Sequence, residues 1–175
     1  MNSETFQPHD DDRELLPLVD EQGRVTGRAP RGRCHDGSRL LHPVVHLHVF
    51  DPAGRLFLQK RPLWKAIQPG RWDTAVGGHM AAGETVADAL RRETAEELGL
   101  DAAGAEPLAR YVFESDVERE LVHVFRLVTA AVPRPSAELD GGRFFDAEEI
   151  RARLGTGFFT PNFESEYRRV FLSRG

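Results

Sequence analysis

Carboxylate side chains are concentrated in residues 78–100, whose sequence is GHMAAGETVADALRRETAEELGL. Glu93, Glu96 and Glu97 are three and four residues apart, so on a helix they lie along one stripe. Arg92 comes within reach of Glu96 on the same stripe. Three carboxylates within one turn repel each other unless a cation lies among them, and Mg²⁺ prefers carboxylate oxygens. The spacing therefore indicates a metal site.

The helix that must carry these carboxylates has clear ends in the sequence. Its pattern begins at Thr85 and ends at Leu98, and Gly99 is a stop signal. Two shorter helical patterns occupy residues 148–154 and 162–173, the second with Pro161 at its start. Residues 62–75 look like a long connection, with prolines at 62 and 69, that leads into a glycine-rich segment before this helix.

Strand-like runs surround the helix on both sides in the sequence. They occupy residues 15–20, 25–30, 44–50, 56–61, 108–115, 120–128 and 143–146. The first two runs predict a hairpin with Gly23 in the turn, and the next two predict a hairpin around an Asp-Pro-Ala-Gly turn. Because strands occur both in hairpins and around a helix, we expect an α/β (α+β) fold with a mixed sheet sandwiched between helices.

Size and composition limit the function classes. The 175 residues suit one domain, which we expect to span 14–175 after a flexible polar arm at 1–13. The net charge of -5 argues against a surface that coats a nucleic acid polymer. Cys34 is the only cysteine, which fits a reducing compartment, and the acidic N-terminal segment does not resemble a signal peptide. No apolar run approaches the roughly 18 residues of a membrane span. We expect a cytoplasmic protein.

The carboxylate-rich segment also matches a known pattern. It resembles the Nudix box, the signature of hydrolases that act on a nucleoside diphosphate linked to another group. One position departs, because Thr94 stands where the family usually has an aliphatic residue, although a core-facing threonine can bond a carbonyl one turn back. A solvated acidic helix face is the alternative, and the glycines at both ends argue against it. The matching positions are Gly78, Glu84, Arg92, Glu93, Glu96, Glu97 and Gly99.

The resemblance implies a Nudix fold and a division of labour within the box. Glu93, Glu96 and Glu97 are implied to be ligands and catalytic groups for Mg²⁺, with Mn²⁺ as a substitute. The carbonyl of Gly78 is implied as a further ligand, and Arg92 as the group that orients Glu93. Metal ions of this kind neutralise a diphosphate and align a water for in-line attack on phosphorus.

Acidic residues beside the metal ligands have separate expected roles. Glu84 is expected to bond loop amides rather than a metal. The glutamate that takes the proton from water varies within the family, and a residue outside the box is often recruited. The candidates in this chain are Glu118, Glu120 and Glu138, and the catalytic set that we predict adds Glu138 to the box residues.

Histidines suggest a second metal site. The succession of CH, LLHPVVHLHVF, QKR and PGRWDTAVGGH resembles the isopentenyl-diphosphate isomerases, which share the Nudix fold. In that family, histidines at the positions of His35, His42 and His79 bind a divalent metal together with glutamates at the positions of Glu118 and Glu120. Three histidines with carboxylates are a suitable ligand set for zinc or manganese. The alternative is that loop histidines are near each other only because of the shared scaffold.

The isomerase interpretation meets an obstacle at one position. The resemblance places the protonating cysteine two residues before the histidine, where this chain has Gly77. Cys34 is far from that position in sequence. The isomerases also commonly lose parts of the hydrolase box, which is intact here, so a hydrolase is favoured. A ligand-sensing Nudix domain without turnover remains a third interpretation, although such domains often lose box carboxylates.

Basic and aromatic residues near the box are candidates for substrate recognition. Arginine binds diphosphate through two parallel hydrogen bonds, so the basic residues around the 62–71 connection are candidate substrate ligands. Trp64 could stack on a base, whereas Trp72 is expected in the core. The substrate-binding candidates are Lys60, Arg61, Lys65 and Arg71.

Two further groups have expected structural roles. His46 and His48 share one face of a strand, where we expect half-buried imidazoles with hydrogen-bond partners. Phe158, Phe159 and Phe163 look like anchors that dock the last helix. The resemblance to Nudix hydrolases implies a small diphosphate molecule as the binding partner. We expect the protein to be a monomer or a homodimer.

Overall fold

The computed structural model describes residues 11–65 and 67–173. Most of the arm predicted at 1–13 lies outside this range, and residues 12–13 form a turn. None of the described helices is long and apolar enough to cross a membrane. The strands are β1 (Leu15–Val19), β2 (Val25–Pro30), β3 (Leu41–Phe50), β4 (Leu56–Lys60), β5 (Trp72–Thr74), β6 (Val76–His79), β7 (Glu106–Glu114), β8 (Arg119–Val128) and β9 (Gly142–Phe145). The helices are α1 (Arg31–Cys34), α2 (Val86–Leu98), α3 (Ala147–Arg153) and α4 (Pro161–Tyr167), which a π-helical segment (Arg168–Leu172) follows.

The larger sheet is mixed, as predicted. Its order is β5-β4-β3-β8-β7, with β6 paired to β3 and β9 paired to β4. The central strands β3 and β8 run parallel, and the other pairs are antiparallel. Strands β1 and β2 form a separate antiparallel pair, which is the predicted N-terminal hairpin. Residues 44–47 of β3 pair with β6, and residues 49–50 of the same strand pair with β4. Strands β6 and β4 therefore lie on the same side of β3, one after the other along it.

Helices cover both faces of the larger sheet. Side chains alternate along a strand, so Val45 and Leu47 point to the face that α2 covers. The neighbouring positions Val44 and His46 point to the opposite face, where Val170 of the π-helical segment packs. Phe159 and Phe163 are buried on α4 and the segment before it, as expected of anchors for the last helix.

Local signals explain where α2 begins and ends. The Thr85 hydroxyl accepts from the Asp88 amide, and the Asp88 carboxylate accepts from the Thr85 amide, which completes a capping box. Gly99 ends the helix with φ of 62°, a left-handed conformation that favours glycine. The Thr94 hydroxyl donates to the Leu90 carbonyl at 2.6 Å, so this buried threonine is accommodated as expected.

Several boundaries differ from expectation. Residues 62–75 are not wholly a connection, because they contain β5, and the glycine-rich segment after them is β6. These strands are only three and four residues long, and their partners β4 and β3 are distant in sequence, so the local pattern is weak. Residues 31–34 form the short helix α1 between β2 and β3, where the sequence shows no helical pattern. The predicted last helix is divided into α4 and the π-helical segment.

Candidate active site

Arg92 joins the carboxylates of the α2 region into one network. Its Nε and Nη2 donate to both oxygens of Glu84, at 2.6 and 2.9 Å. Its Nη1 donates to Glu93 Oε1 at 2.8 Å and approaches Glu96 Oε2 at 3.4 Å. Glu84 also accepts from the Ala81 amide at 2.8 Å, as expected of a group that bonds a loop amide. The guanidinium thereby fixes the position of the Glu93 carboxylate.

The backbone of β6 lies directly against these glutamates. A Cβ added at Gly78 would lie 2.2 Å from Glu93 Cδ, which no real side chain allows. The Gly77 amide donates to Glu97 Oε2 at 3.1 Å. Gly78 therefore lets the Glu93 carboxylate approach the strand at a distance that a side chain there would prevent, and the Gly77 amide holds the Glu97 carboxylate beside it.

Burial makes this carboxylate group a suitable environment for a cation. The Glu93 side chain is 15% exposed and that of Glu96 is 61% exposed, so Glu93 lies inside and Glu96 at the rim. Burial raises the pKa of Glu93, although Arg92 opposes the shift. Burial and the charge of Glu93 raise the pKa of Glu97 well above its usual value. A divalent cation between them would remove that cost.

The structure brings together all five residues of the predicted second metal site. One ligand atom each from His35, His42 and His79 lie within 4.8 Å of one another, and so do those from His42, Glu118 and Glu120. His79 Nε2 lies 3.3 Å from His35 Nε2, and His35 Nε2 lies 3.2 Å from Glu118 Oε2. These residues come from the segment after α1, from β3, from β6, from the residue before β8 and from the start of β8.

Hydrogen bonds orient the histidines of this cluster. His42 Nδ1 lies 2.9 Å from the Leu40 carbonyl, and His35 Nδ1 lies 3.0 Å from the Arg31 carbonyl, so each ring directs Nε2 to the centre of the cluster. His42 Nε2 is buried and has no hydrogen-bond partner among the described residues. A buried nitrogen of this kind, pointed at other donor atoms, is the arrangement that a metal ligand requires.

The charge states of the cluster also suit a metal. Burial lowers the pKa of His42, and burial together with Arg31 lowers that of His79 well below its usual value, so both rings are neutral at pH 7. Burial and the neighbouring Glu118 charge raise the pKa of Glu120 to about 8. Neutral imidazoles can bind a metal directly. A bound cation would also stabilise the deprotonated form of Glu120, whose pKa is otherwise raised.

One buried carboxylate near these sites was missed by the sequence interpretation. Glu166 of α4 is 1% exposed and lies 2.8 Å from His46 Nδ1 and 2.7 Å from His48 Nε2. It also accepts from the Tyr111 hydroxyl at 2.8 Å. The partners expected for His46 and His48 therefore converge on one glutamate. Glu166 lies three residues after buried Phe163 and four before buried Val170, and this helical spacing was an available signal for an inward-facing residue.

The predicted substrate ligands make other contacts among the described residues. Lys60 Nζ lies 3.6 Å from Asp140, and Lys65 Nζ lies 5.0 Å from the centroid of the Trp64 ring. Arg61 donates to the Ile67 carbonyl and lies 3.5 Å from Asp73. Arg71 is partly buried near Gly157. Glu138 is exposed in the turn before β9.

Comparisons with known proteins agree with this architecture. The family model described as NUDIX domain matches residues 40–163. The chain is 34% identical over 166 residues to an uncharacterized Nudix hydrolase of Streptomyces coelicolor, covering 93% of this chain and 91% of that protein. It is 36% identical over 128 residues to the isopentenyl-diphosphate Delta-isomerase of Agromyces mediolanus, covering 70% and 62%. A crystal structure of a Deinococcus radiodurans protein matches with a TM-score of 0.76 at 28% identity, covering 90% and 99%.

Proposed function

Because the chain belongs to the NUDIX family and is a Nudix hydrolase, we propose that it cleaves a diphosphate linkage with Mg²⁺. The substrate is a nucleoside diphosphate derivative or a related small organic diphosphate, and water attacks phosphorus. The observation that supports this reaction best is the pair of partly buried carboxylates, Glu93 and Glu97, packed on the backbone of β6. A bound cation would offset the cost of keeping both carboxylates charged in this partly buried position.

The residues that would hold the ion are those of the α2–β6 contact. Glu93 and Glu97 fit because both are partly buried and their pKa values are raised, and Glu96 adds an oxygen at the rim. The Gly78 carbonyl is a further ligand in this proposal. When bound, Mg²⁺ or Mn²⁺ supplies charge neutralisation of the diphosphate and lowers the pKa of a bound water.

Arg92 positions the site before substrate arrives. Its bonds to Glu84 and Glu93 fix one carboxylate oxygen of Glu93 and leave the other directed to β6. A preorganised carboxylate does not have to be reoriented during the reaction, which lowers the barrier. Glu138 remains our candidate for accepting the proton, since the nearby Ser136 amide donates to the Glu97 carbonyl and holds this turn beside the end of α2.

The histidine cluster is the second part of the proposal. His35, His42 and His79, with Glu118 and Glu120, would bind a second divalent ion such as Zn²⁺ or Mn²⁺. The unpartnered Nε2 of His42 supports this assignment. The basic residues Lys60, Arg61, Lys65 and Arg71 remain proposed contacts for the phosphates. We further propose a cytoplasmic location and a monomeric or homodimeric enzyme that does not act on a nucleic acid polymer.

A second candidate function is the isomerisation of a prenyl diphosphate. The five-residue cluster favours it, because the resemblance to isopentenyl-diphosphate isomerases implies a metal at those positions. Gly77 argues against it, since glycine cannot supply the proton that the resemblance assigns to a cysteine at this position. The two reactions have different products, a phosphate ester or phosphate in one case and an allylic isomer in the other.

A panel of substrates tests the choice directly. Dinucleotides, sugar nucleotides and prenyl diphosphates are incubated with purified protein and Mg²⁺ or Mn²⁺, and phosphorus NMR detects each product. We expect metal-dependent hydrolysis of at least one compound and its loss in Glu97→Gln. Glu148→Gln, an exposed substitution on α3, is the matched control. Hydrolysis that persists in Glu97→Gln, or formation of an allylic isomer in its place, would contradict the proposal.

A further inference from the structure

His46 carries a positive charge on the sheet face that also holds the histidine cluster. His42 and His46 are four residues apart on β3 and therefore point to the same face, and Glu120 lies beside His42 on β8. Burial lowers the pKa of His46, but the charge of Glu166 and its hydrogen bond to the ring raise that pKa by more. The resulting pKa is about 9. At neutral pH the ring is an imidazolium whose two nitrogens are both donors.

Only one of those two donors is used within the described protein. Nδ1 of His46 bonds Glu166 at 2.8 Å. Nε2 has no partner among the described residues, and it is not one of their buried unpartnered nitrogens, which are His42 Nε2 and His48 Nδ1. The His46 side chain is 22% exposed. One charged N–H of His46 therefore faces solvent.

The position of Gly77 shows where that N–H points. His46 and Gly77 are paired across β3 and β6. A Cβ at Gly77 would lie 3.5 Å from His46 Cδ2 and 3.7 Å from Nε2, so the missing side chain leaves this edge of the ring uncovered. The Gly77 amide meanwhile bonds Glu97 Oε2 at 3.1 Å. The exposed residue Gly77 therefore lies between the Nε2 donor of His46 and the carboxylate of Glu97, which is a proposed metal ligand.

Three acidic side chains lie around this opening, and one of them, Asp73, is 3.5 Å from Arg61. They are Glu97 of α2, whose carboxylate lies against β6, Asp73 on β5 and Glu120 on β8, and each interacts electrostatically with His46. A substrate whose phosphates lie near these carboxylates would find the Nε2–H of His46 as a donor beside Gly77. A charged N–H is well suited to a phosphate oxygen because charge-assisted hydrogen bonds are the stronger class.

We propose that the Nε2–H of His46 binds an oxygen of the substrate diphosphate, in the opening that Gly77 leaves between the α2 glutamates and the histidine cluster. This inference rests on the proposed function and deepens it, because it adds a phosphate contact to those proposed for the basic residues Lys60, Arg61, Lys65 and Arg71. Glu166 and Tyr111 are positioning residues, since they orient the ring without reaching the opening.

His48 provides a matched control. It bonds the same Glu166 carboxylate, at 2.7 Å, but it is 0% exposed and its other nitrogen is buried. The variants His46→Phe and His48→Phe each remove one bond to Glu166 and introduce the same ring. Only the first also removes a donor from the opening.

The probe is methylenediphosphonate in the presence of Mg²⁺, because its carbon bridge resists hydrolysis and binding can be measured even if turnover is absent. Calorimetry is expected to show affinity about 10- to 100-fold lower in His46→Phe and within about threefold of wild type in His48→Phe. In wild-type protein with ¹⁵N-labelled histidine, we expect the His46 Nε2 resonance to shift on addition of the probe, with His48 unchanged.

Three results would overturn the inference. One is an equal loss of affinity in both phenylalanine variants, which would indicate a structural role through Glu166. The second is an unshifted His46 Nε2 resonance in saturated wild-type protein, a readout that does not depend on whether a variant folds. The third is no binding of the probe by wild type. Failure of the proposed hydrolysis would appear separately, as absence of product in the substrate panel.

Discussion

Gly78→Ala tests the close fit of β6 against α2 with a single methyl group. The added Cβ would lie 2.2 Å from Glu93 Cδ and 2.5 Å from its Oε2. The backbone at Gly78 is not in the left-handed region, so alanine is compatible with its conformation. The substitution therefore acts through the Glu93 side chain rather than through backbone strain.

The size of the effect follows from these distances. Ordinary van der Waals contact begins at 3.4 Å, so the Glu93 carboxyl carbon must move by about 1.2 Å. That displacement also disturbs the 2.8 Å bond from Arg92. A misplacement of about 1 Å in a catalytic group costs on the order of 100-fold in rate, and we expect a loss of that size in kcat.

The assay compares kcat and metal dependence for wild type, Gly78→Ala and the control Gly27→Ala. A Cβ at Gly27 meets nothing within 4 Å, so this variant should keep wild-type activity. Thermal melting monitors folding in all three proteins. If folded Gly78→Ala retained kcat within about threefold of wild type, the placement of Glu93 against β6 would not matter to catalysis and our account of the site would be refuted.

Three further predictions address the network, the buried pair and the second site. Arg92→Lys loses the two-point contact with Glu84, so kcat should fall about 10- to 100-fold while metal affinity changes less; an unchanged kcat would show that orientation by Arg92 is unimportant. The pKa of His46 rises from 6.5 to about 9 beside Glu166, so its contribution to the free energy of unfolding is complete below pH 6.5 and is lost as the pH rises through 9. That contribution is about 3 kcal/mol. Urea unfolding at pH 6 and pH 9.5 should show a smaller change in the free energy of unfolding in His46→Gln than in wild type. An equal change in the two proteins would contradict this role of His46. His42→Gln should lower the affinity for Zn²⁺ or Mn²⁺ at least tenfold by metal titration, and retention of full affinity would remove the second site from the account.

Local signals were sufficient for the element that carries the box. The capping residue Thr85, the stop at Gly99 and the apolar stripe between them are all within 15 residues, and α2 begins and ends where these signals indicate. The mixed sheet between helices also followed from the alternation of hairpins and a helix. Contacts along the helix, such as that of Arg92 with Glu96, depend on spacing alone and were accessible from the sequence.

Contacts between distant segments were not accessible in the same way. Glu166 is 120 residues from His46, and no local pattern links a carboxylate on the last helix to a histidine on β3. Strand β6 escaped notice because its glycines lack β propensity and its pairing with β3 supplies the structure. The histidine cluster was anticipated through resemblance to a family, since spacing of 7 and 37 residues among its histidines has no meaning without the fold.

Hydrolysis in ¹⁸O-labelled water measures the central claim most directly. The best substrate from the panel is turned over with Mg²⁺, and phosphorus NMR locates the label through its isotope shift. We predict one ¹⁸O atom on a phosphoryl group of one product, only when metal is present, and greatly reduced incorporation in Glu97→Gln. Label on a carbon-bound oxygen, or product that forms equally without metal, would contradict metal-dependent attack of water on phosphorus.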